Sequence, residues 1–394
     1  MNYGWPITTI GESCTITSGG TPSRKIARFW NGDIPWVSAK DLKRDRIGDA
    51  ALHISEESIA ESATKIAPVG SLLMLVRGMG LANGVAIAEV TAPVAFNQDI
   101  RAIHPPEAVI PRFLVLALKS GLTDGNGERV LSSAAHGTLK IDTEALRRIP
   151  FPLPPLPEQR RIVGIFDEAF AGIANARANA ERNRQNARAL FESRLNAVFT
   201  ERGEGWTTRR LGEVCGFQGG SQPPKSEFVY SPQAGYVRFL QIRDFASDKH
   251  VTFIPKSKKN RTCNADDVLI GRYGASVGKI LTRLQGAYNV ALIKTIPDHT
   301  QLNQRFLYYY LHSATFQHRL RNGASRSAQN GFSKDDIFDF PIPLPRLEEQ
   351  ARVVDKLELN SYETQRLESL YRRKLAALDE LKKSLLQRAF SGEL

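Results

Sequence analysis

One stretch occurs twice in this chain, and the long charged run after each copy narrows the available folds. The first copy is IPFPLPPLPEQRRIV (149–163) and the second is FPIPLPRLEEQARVV (340–354). Pro150 aligns with Pro341, Leu156 with Leu347, Gln159 with Gln350 and Val163 with Val354, at one gap-free offset of 341 − 150 = 191. Alternating prolines lack the backbone N–H a helix interior needs, so they favour an extended strap. Glu158-Gln159 and Glu349-Gln350 then fall in the first turn of a helix, where negative charge meets the positive end of the dipole.

Long helices are expected over about 157–200 and 347–391, each about 65 Å at 1.5 Å per residue. In the first, Phe166, Ala169, Ile173, Ala176, Ala180, Asn183, Ala187, Leu190, Arg194 and Ala197 alternate in steps of three and four. The same offset gives Leu357, Asn360, Thr364, Leu367, Tyr371, Lys374, Leu378, Leu381, Leu385 and Arg388 in the second. A heptad seam of this kind needs a partner. The simplest partner is the other helix of the same chain, packed antiparallel with bulk facing alanine. Homodimerisation through the same seams is the alternative.

The repeat extends beyond the straps. Gly4-Trp5 and Ile10-Gly11-Glu12 with Cys14 match Gly205-Trp206 and Leu211-Gly212-Glu213 with Cys215. Gly19-Gly20 and Pro22 match Gly219-Gly220 and Pro223, Lys40-Asp41 matches Arg243-Asp244, Arg77 is set against Arg272, and Asn97 matches Asn289. Each half thus has a globular part, with strands expected at 72–76, 84–88, 268–270 and 287–296 and helices at 111–120 and 303–313. This is a mixed α+β composition. The pattern does not specify topology.

A formal charge of +12 points to a polyanionic partner, most often nucleic acid. No apolar run approaches the roughly 20 residues a membrane helix needs, so no membrane association is expected. Three cysteines without a CxxC support neither zinc nor a disulfide framework, and a reduced cytoplasm is the simplest setting.

No segment presents a convincing active site. Gly274–Lys279 resembles a phosphate loop but is one residue short, and Ile280 stands where a Mg²⁺-binding hydroxyl is required; a strand-connecting turn is the better reading. His312 and His318, six apart, fall off a common helix face, and the histidines form no metal-binding cluster. Cys14 and Cys215 read as buried structural thiols. Nucleic-acid contacts are better represented. The glycine-rich loops carry Thr21, Ser23, Arg24 and Lys25 in one half and Ser221, Gln222 and Lys225 in the other; such loops let N–H groups approach phosphates. Lys40 and Arg243 share one sign. Arg77, Arg272 and the adjoining Tyr273 stand beside glycines, and arginine reads guanine bidentately, though it equally pairs within a core. Gln98 is an amide suited to adenine, whereas the matched Asn97 and Asn289 suit a fold-maintaining hydrogen bond. The late loops, with His136 and Thr138 in one half and Arg326 and Gln329 in the other, match poorly, as specificity determinants should.

Two unlike globular parts, each followed by a Pro-Leu-Pro strap with Glu-Gln and a long helix, resemble the specificity subunit of type I restriction-modification systems. The closing SLLQRAFSGEL (384–394) and its echo SRLNAVF (193–199) strengthen the likeness. The resemblance implies an α+β fold with two pseudo-symmetric target-recognition domains, 1–154 and 204–345. Helical spacers, 155–203 and 346–394, would form an intramolecular antiparallel coiled coil. It implies a non-catalytic subunit that binds double-stranded DNA, each domain reading one half of a bipartite asymmetric site. The helices would set the spacing and dock two methyltransferase (modification) subunits. S-adenosylmethionine, ATP and Mg²⁺ would reside on those and on restriction/translocase subunits, none on this chain. A self-sufficient DNA-modifying enzyme would transfer methyl groups unaided; a coiled-coil scaffold would show no sequence-dependent DNA affinity.

Overall fold

The computed structural model describes residues 4–123, 131–133, 139–201, 203–324 and 331–391. The chain divides into two compact units, residues 1–180 with 373–394 and residues 181–372. The boundaries fall midway along the two long helices, Leu156–Glu201 and Leu347–Ser391, so each unit holds one globular domain and half of each helix.

In the first unit, a five-stranded sheet runs in the order Thr15–Ser18, Ile100–His104, Leu72–Leu75, Ile87–Val90 and Arg46–Ile47. A second sheet orders His53–Ile54, Ile34–Val37, Val94–Phe96 and Lys65–Ala67. Helix Pro111–Thr123 covers the first sheet, and its Phe113 and Leu114 are fully buried. The second unit repeats the plan with one strand fewer in the main sheet. Its main sheet is Cys215–Gly219, Leu292–Pro297, Leu269–Gly271 and Ile280–Leu281; the other is Phe253–Pro255, Tyr236–Leu240, Gly286–Tyr288 and Thr262–Cys263. The expected strand over 287–296 is two strands, because Asn289 folds back so that its side-chain oxygen accepts the Ala291 N–H at 3.2 Å. The strand expected at 84–88 begins only at Ile87, after a 3-10 turn over Met79–Asn83.

The straps are strands. Pro150–Pro152 pairs antiparallel with Ile7–Thr9, and Pro341–Leu344 with Thr207–Arg210, so each two-stranded ribbon ties the end of a domain to its beginning. Prolines are tolerated because each ribbon has only two strands and one edge of each carries no ladder. The glutamine of the motif has a structural task. Gln159 is fully buried; its Oε1 accepts the Ile110 N–H at 2.8 Å, and its Nε2 donates to Ala108 O and Pro154 O. Gln350 repeats this with Asn303 N–H, Gln301 O and Pro345 O. One amide thus fastens strap, domain loop and long helix together, and leaves no buried polar group of its own unpaired.

The long helices pack antiparallel within each unit. In the first, the Phe166 and Phe390 rings stack with centroids 6.3 Å apart and Arg177 pairs with Asp379. In the second, Arg188 meets Glu368 at 2.8 Å and Arg194 bonds Asn360. The seam differs from the expected one at alternate positions. On the second helix Tyr371, Leu378 and Leu385 face inward as expected, but Leu367 and Leu381 are 39% and 46% exposed. Glu368, Leu375, Lys382 and Ala389 take the intervening places. On the first helix the seam holds at Phe166 to Ala180 and at Ala187, but Asn183 is exposed and Arg184 takes its place; beyond Ala187, Phe191 and Leu195 replace Leu190 and Arg194. An α-helix of 3.6 residues per turn drifts against a 3.5 repeat. The drift is set by the globular domains, which claim Leu195 and Phe199 for one core and Leu386 and Ala389 for the other.

Candidate nucleic-acid interface

The first glycine loop is held against the sheet by close approach. Gly20 N–H donates to Phe96 O at 2.9 Å, and a Cβ on Gly19 would lie 2.3 Å from both Phe96 O and Asn97 O. Gly220 stands equally close to Asn289 O, at 2.0 Å. This crowding explains the glycines without any ligand. It also brings Thr21 to Gln98, whose side-chain oxygen accepts the threonine hydroxyl. Arg101 joins them: its Nη1 donates to Gln98 O at 2.9 Å, and Arg77 lies close enough for its charge to act on Arg101. Thr21, Gln98, Arg101 and Arg77 therefore form one polar, cationic cluster. Arg101 is absent from the sequence candidates, although a cation three residues after Gln98 is a legible signal.

The hydrogen-bond register corrects two repeat correspondences. Gly20 N–H donates to Phe96 O as Ser221 N–H donates to Tyr288 O, so Gly19 matches Gly220 and Gly20 matches Ser221, one residue off the expected glycine pairing. The other concerns the arginines. Val76 N–H donates to Asp99 O and Val76 O accepts from Ile141; Arg272 N–H donates to Ala291 O and Arg272 O accepts from Phe332. Arg272 therefore matches Val76, and Arg77 matches Tyr273. Ungapped matching of the two Arg-Gly neighbourhoods missed this because the connecting loops differ in length. The Arg272 guanidinium is committed to the fold: Nε donates to Phe332 O at 3.1 Å, Nη1 reaches Val290 O at 3.5 Å, and the group lies 4.9 Å from the Tyr273 ring centroid. Val290 occupies the place of Gln98, so Arg272 does in the second unit what Arg101 does in the first.

The Lys40 and Arg243 match holds. Ser38 N–H donates to the Asp41 carboxylate at 2.8 Å and Gln241 N–H to Asp244 at 2.6 Å, and these twin turns leave both cations exposed. Arg24 stacks over Trp30 at 4.8 Å; Ser23, Lys25, Gln222 and Lys225 are exposed, while the Ser221 hydroxyl is buried without a hydrogen-bond partner. His136, Thr138, Arg326 and Gln329 lie outside the described residues. Burial raises the Cys14 thiol to about 11 and the Cys215 thiol to about 12, which removes thiolate chemistry near neutral pH. No group of His, Cys, Asp and Glu among the described residues is arranged to hold a metal ion. No helix of the described residues is long and apolar enough to cross a membrane.

A second concave site lies wholly within unit 2. Arg305 pairs with Glu358 and stacks over Tyr308 at 4.4 Å, and the Tyr308 and His312 rings are 4.6 Å apart. They line a cleft of about 750 Å³. Both His312 and His318 face it, contrary to the single-helix expectation. The helix ends at His312 and a new one starts at Ala314, so the spacing of six no longer separates them. Desolvation by the cleft walls, then the Arg305 charge, pushes the His312 imidazole below its ordinary value.

A duplicated α+β domain mounted on long helices, with hydroxyls, amides and cations on its loops, has the parts of a DNA-reading protein. The chain belongs to the family described as type I restriction modification DNA specificity domain, whose model matches residues 2–181 and 203–371. It is 33% identical over 172 residues to the type I restriction enzyme EcoR124I/EcoR124II specificity subunit of Escherichia coli, covering 43% of this chain and 41% of that protein. It is 24% identical over 335 residues to the MjaIX specificity subunit of Methanocaldococcus jannaschii, covering 78% and 75%. A structure solved in work on complex assembly and conformational transition of the type I R-M system shares the fold at a TM-score of 0.81, with 23% identity over 100% of this chain and 99% of that one. The HsdS subunit from Thermoanaerobacter tengcongensis gives a TM-score of 0.63, with 22% identity over 100% and 98%.

Proposed function

We propose that the chain is the DNA-reading subunit of a type I restriction-modification complex and makes no bonds itself. In this reading the globular blocks 1–154 and 204–345 each read one half of an asymmetric bipartite site. The spacers 155–203 and 346–394 set the separation and dock two methyltransferase subunits in the cytoplasm. S-adenosylmethionine, ATP and Mg²⁺ belong to those and to restriction/translocase subunits. One observation carries the reading: the framework is duplicated residue for residue at Gln159 and Gln350, while the loops above it diverge, with Arg77 matched to Tyr273 and Gln98 to Val290. A duplicated frame with unlike loops suits a reader of two unlike half-sites. The contacts proposed are Thr21, Ser23, Arg24, Lys25, Lys40, Arg77, Gln98, His136 and Thr138 in one half. In the other they are Gln222, Lys225, Arg243, Tyr273, Arg326 and Gln329, with Arg101 added to the first; Arg272, held by Phe332 O and Val290 O, and Ser221, with its buried hydroxyl, would position that surface rather than touch DNA.

Exchanging residues 1–150 for a homologous domain tests it. Methylome sequencing of a host carrying the hybrid should show one half of the modified motif changed and the other retained; a change in both halves would overturn the modular reading. DNA affinity should fall steeply with salt, because phosphate contacts release counterions.

A further inference from the structure

The two units differ where the main sheet meets the long helices. In unit 1, the fifth strand Arg46–Ile47 pairs parallel with Glu89 and Val90. Glu89 N–H donates to Asp45 O at 3.0 Å, and Thr91 N–H to Ile47 O at 2.8 Å. This strand delivers the Asp45 carboxylate to Lys119, with Arg112 at 3.8 Å and Lys382 at 4.0 Å. Ladder register maps Glu89 onto Thr282 and Val90 onto Arg283, because Leu73 pairs Ala88 as Leu269 pairs Leu281. In unit 2 the edge strand ends at Leu281 and no fifth strand joins it among the described residues; beyond it the chain bends inward, with Arg283 N–H and the Thr282 hydroxyl both donating to Ala265 O, at 2.8 and 3.1 Å. Arg283 holds φ at +74°, the only non-glycine residue with positive φ among those described, and its side chain faces the cleft.

The chemistry of the cleft is a variation on unit 1. The Arg112–Asp167 pair is kept as Arg305–Glu358. Lys119 becomes His312 and Lys382 becomes Phe191, so rings replace two of the three cations that hold Asp45. Arg283 and Arg321 line the cleft with no carboxylate within ion-pairing distance among the described residues. Rings beside two such cations make a docking place for a short acidic, aromatic segment.

We propose that the unit 2 cleft receives a short extended segment of a partner polypeptide. It places an aromatic or large apolar side chain among Phe191, Tyr308 and Tyr362. Its acidic side chain lies at Arg283 and Arg321. The internal precedent is Asp45-Arg46-Ile47, which fills the equivalent place in unit 1. Nucleic acid fits less well, because Glu192, Glu358 and Glu368 share the lining and break any continuous cationic track.

The test selects a random decapeptide display library against the full-length chain, then measures affinity of the enriched peptides by fluorescence anisotropy. Enriched sequences should combine an aromatic residue with Asp or Glu. Binding should weaken about tenfold on Arg283→Glu, on Arg321→Glu and on Tyr362→Ala, as for anchor residues of an interface. All three altered side chains are exposed, and unchanged thermal melts will show that the variants fold. Selection of no peptide, or of peptides indifferent to all three changes, overturns the proposal. So does a loss of DNA affinity in these variants with peptide binding unchanged, an outcome that leaves the DNA-reading proposal standing.

Discussion

Helix for helix, the two units place ion pairs at matching positions and reverse their sign. Arg177 on the first long helix faces Asp379 on the second in unit 1; the equivalent places in unit 2 hold Glu368 and Arg188. The pairing geometry survived duplication while the identity of each partner did not, so at these exposed sites the requirement is complementarity, not a particular residue. The domain-facing ends behave differently. Phe390 and Phe199 are matched and both pack on rings of the domain helix, Phe113 in one unit and Phe306 in the other. Apolar burial at the ends is strict, and polar pairing at the middle is negotiable. Between these extremes lies the Asp45 place, filled by the chain itself in unit 1 and open in unit 2.

The largest expected effect tests the claim that the two units share one frame. Gln350→Ala strands the Asn303 N–H and two carbonyls in a fully buried place and should cost about 3 kcal/mol in denaturant unfolding, with Gln159→Ala costing much the same. A marked inequality between them would break the symmetry of the frame.

Next comes the Asp45 place. Burial alone would raise this carboxyl, but Lys119, with Lys382 and Arg112, outweighs it and holds the group below the ordinary carboxylate range. Burial also lowers Lys119, and its bond to Asp45 does not fully offset that. Both side chains remain 23% exposed, so Asp45→Asn should cost only about 1–2 kcal/mol near neutral pH. Asp45 is depressed in the folded state, so its contribution is present above the unfolded pKa and vanishes as pH falls through the folded one. Wild type and variant should converge in stability in that acid window. His312, the unit 2 counterpart of Lys119, is depressed by burial and then by Arg305 to about 4, so wild type loses stability as pH falls from the ordinary imidazole range toward that value, and His312→Asn should lack this loss.

The smallest effect belongs to the reversed pairs. Arg188→Glu should cost about 0.5 kcal/mol, and the double change with Glu368→Arg should restore it, because that reproduces the polarity found in unit 1. A double-mutant cycle with no coupling would show that polarity at this site is idle.

The duplication, the strap and the two helices were legible in the residues, because a gap-free 191-residue offset leaves little freedom and because Pro, Glu and heptad spacing act locally. The Lys40–Arg243 match was legible for the same reason: each is held by a turn whose aspartate lies in the next position. The Arg77–Arg272 match was not, since it depends on which carbonyls a strand meets across the sheet. The helix seam was half legible; its alternate positions were decided by domain cores claiming Leu195, Phe199, Leu386 and Ala389. Local chemistry thus determined what kinds of element this chain makes and how often it repeats them. Non-local packing alone decided which residues came together: Arg101 with Gln98, His312 and His318 on one cleft across a helix break, and a carboxylate place filled by Asp45 in one unit and open in the other. Periodicity is a property of neighbours in sequence, whereas register, burial and cavities arise only when distant segments compete for the same space.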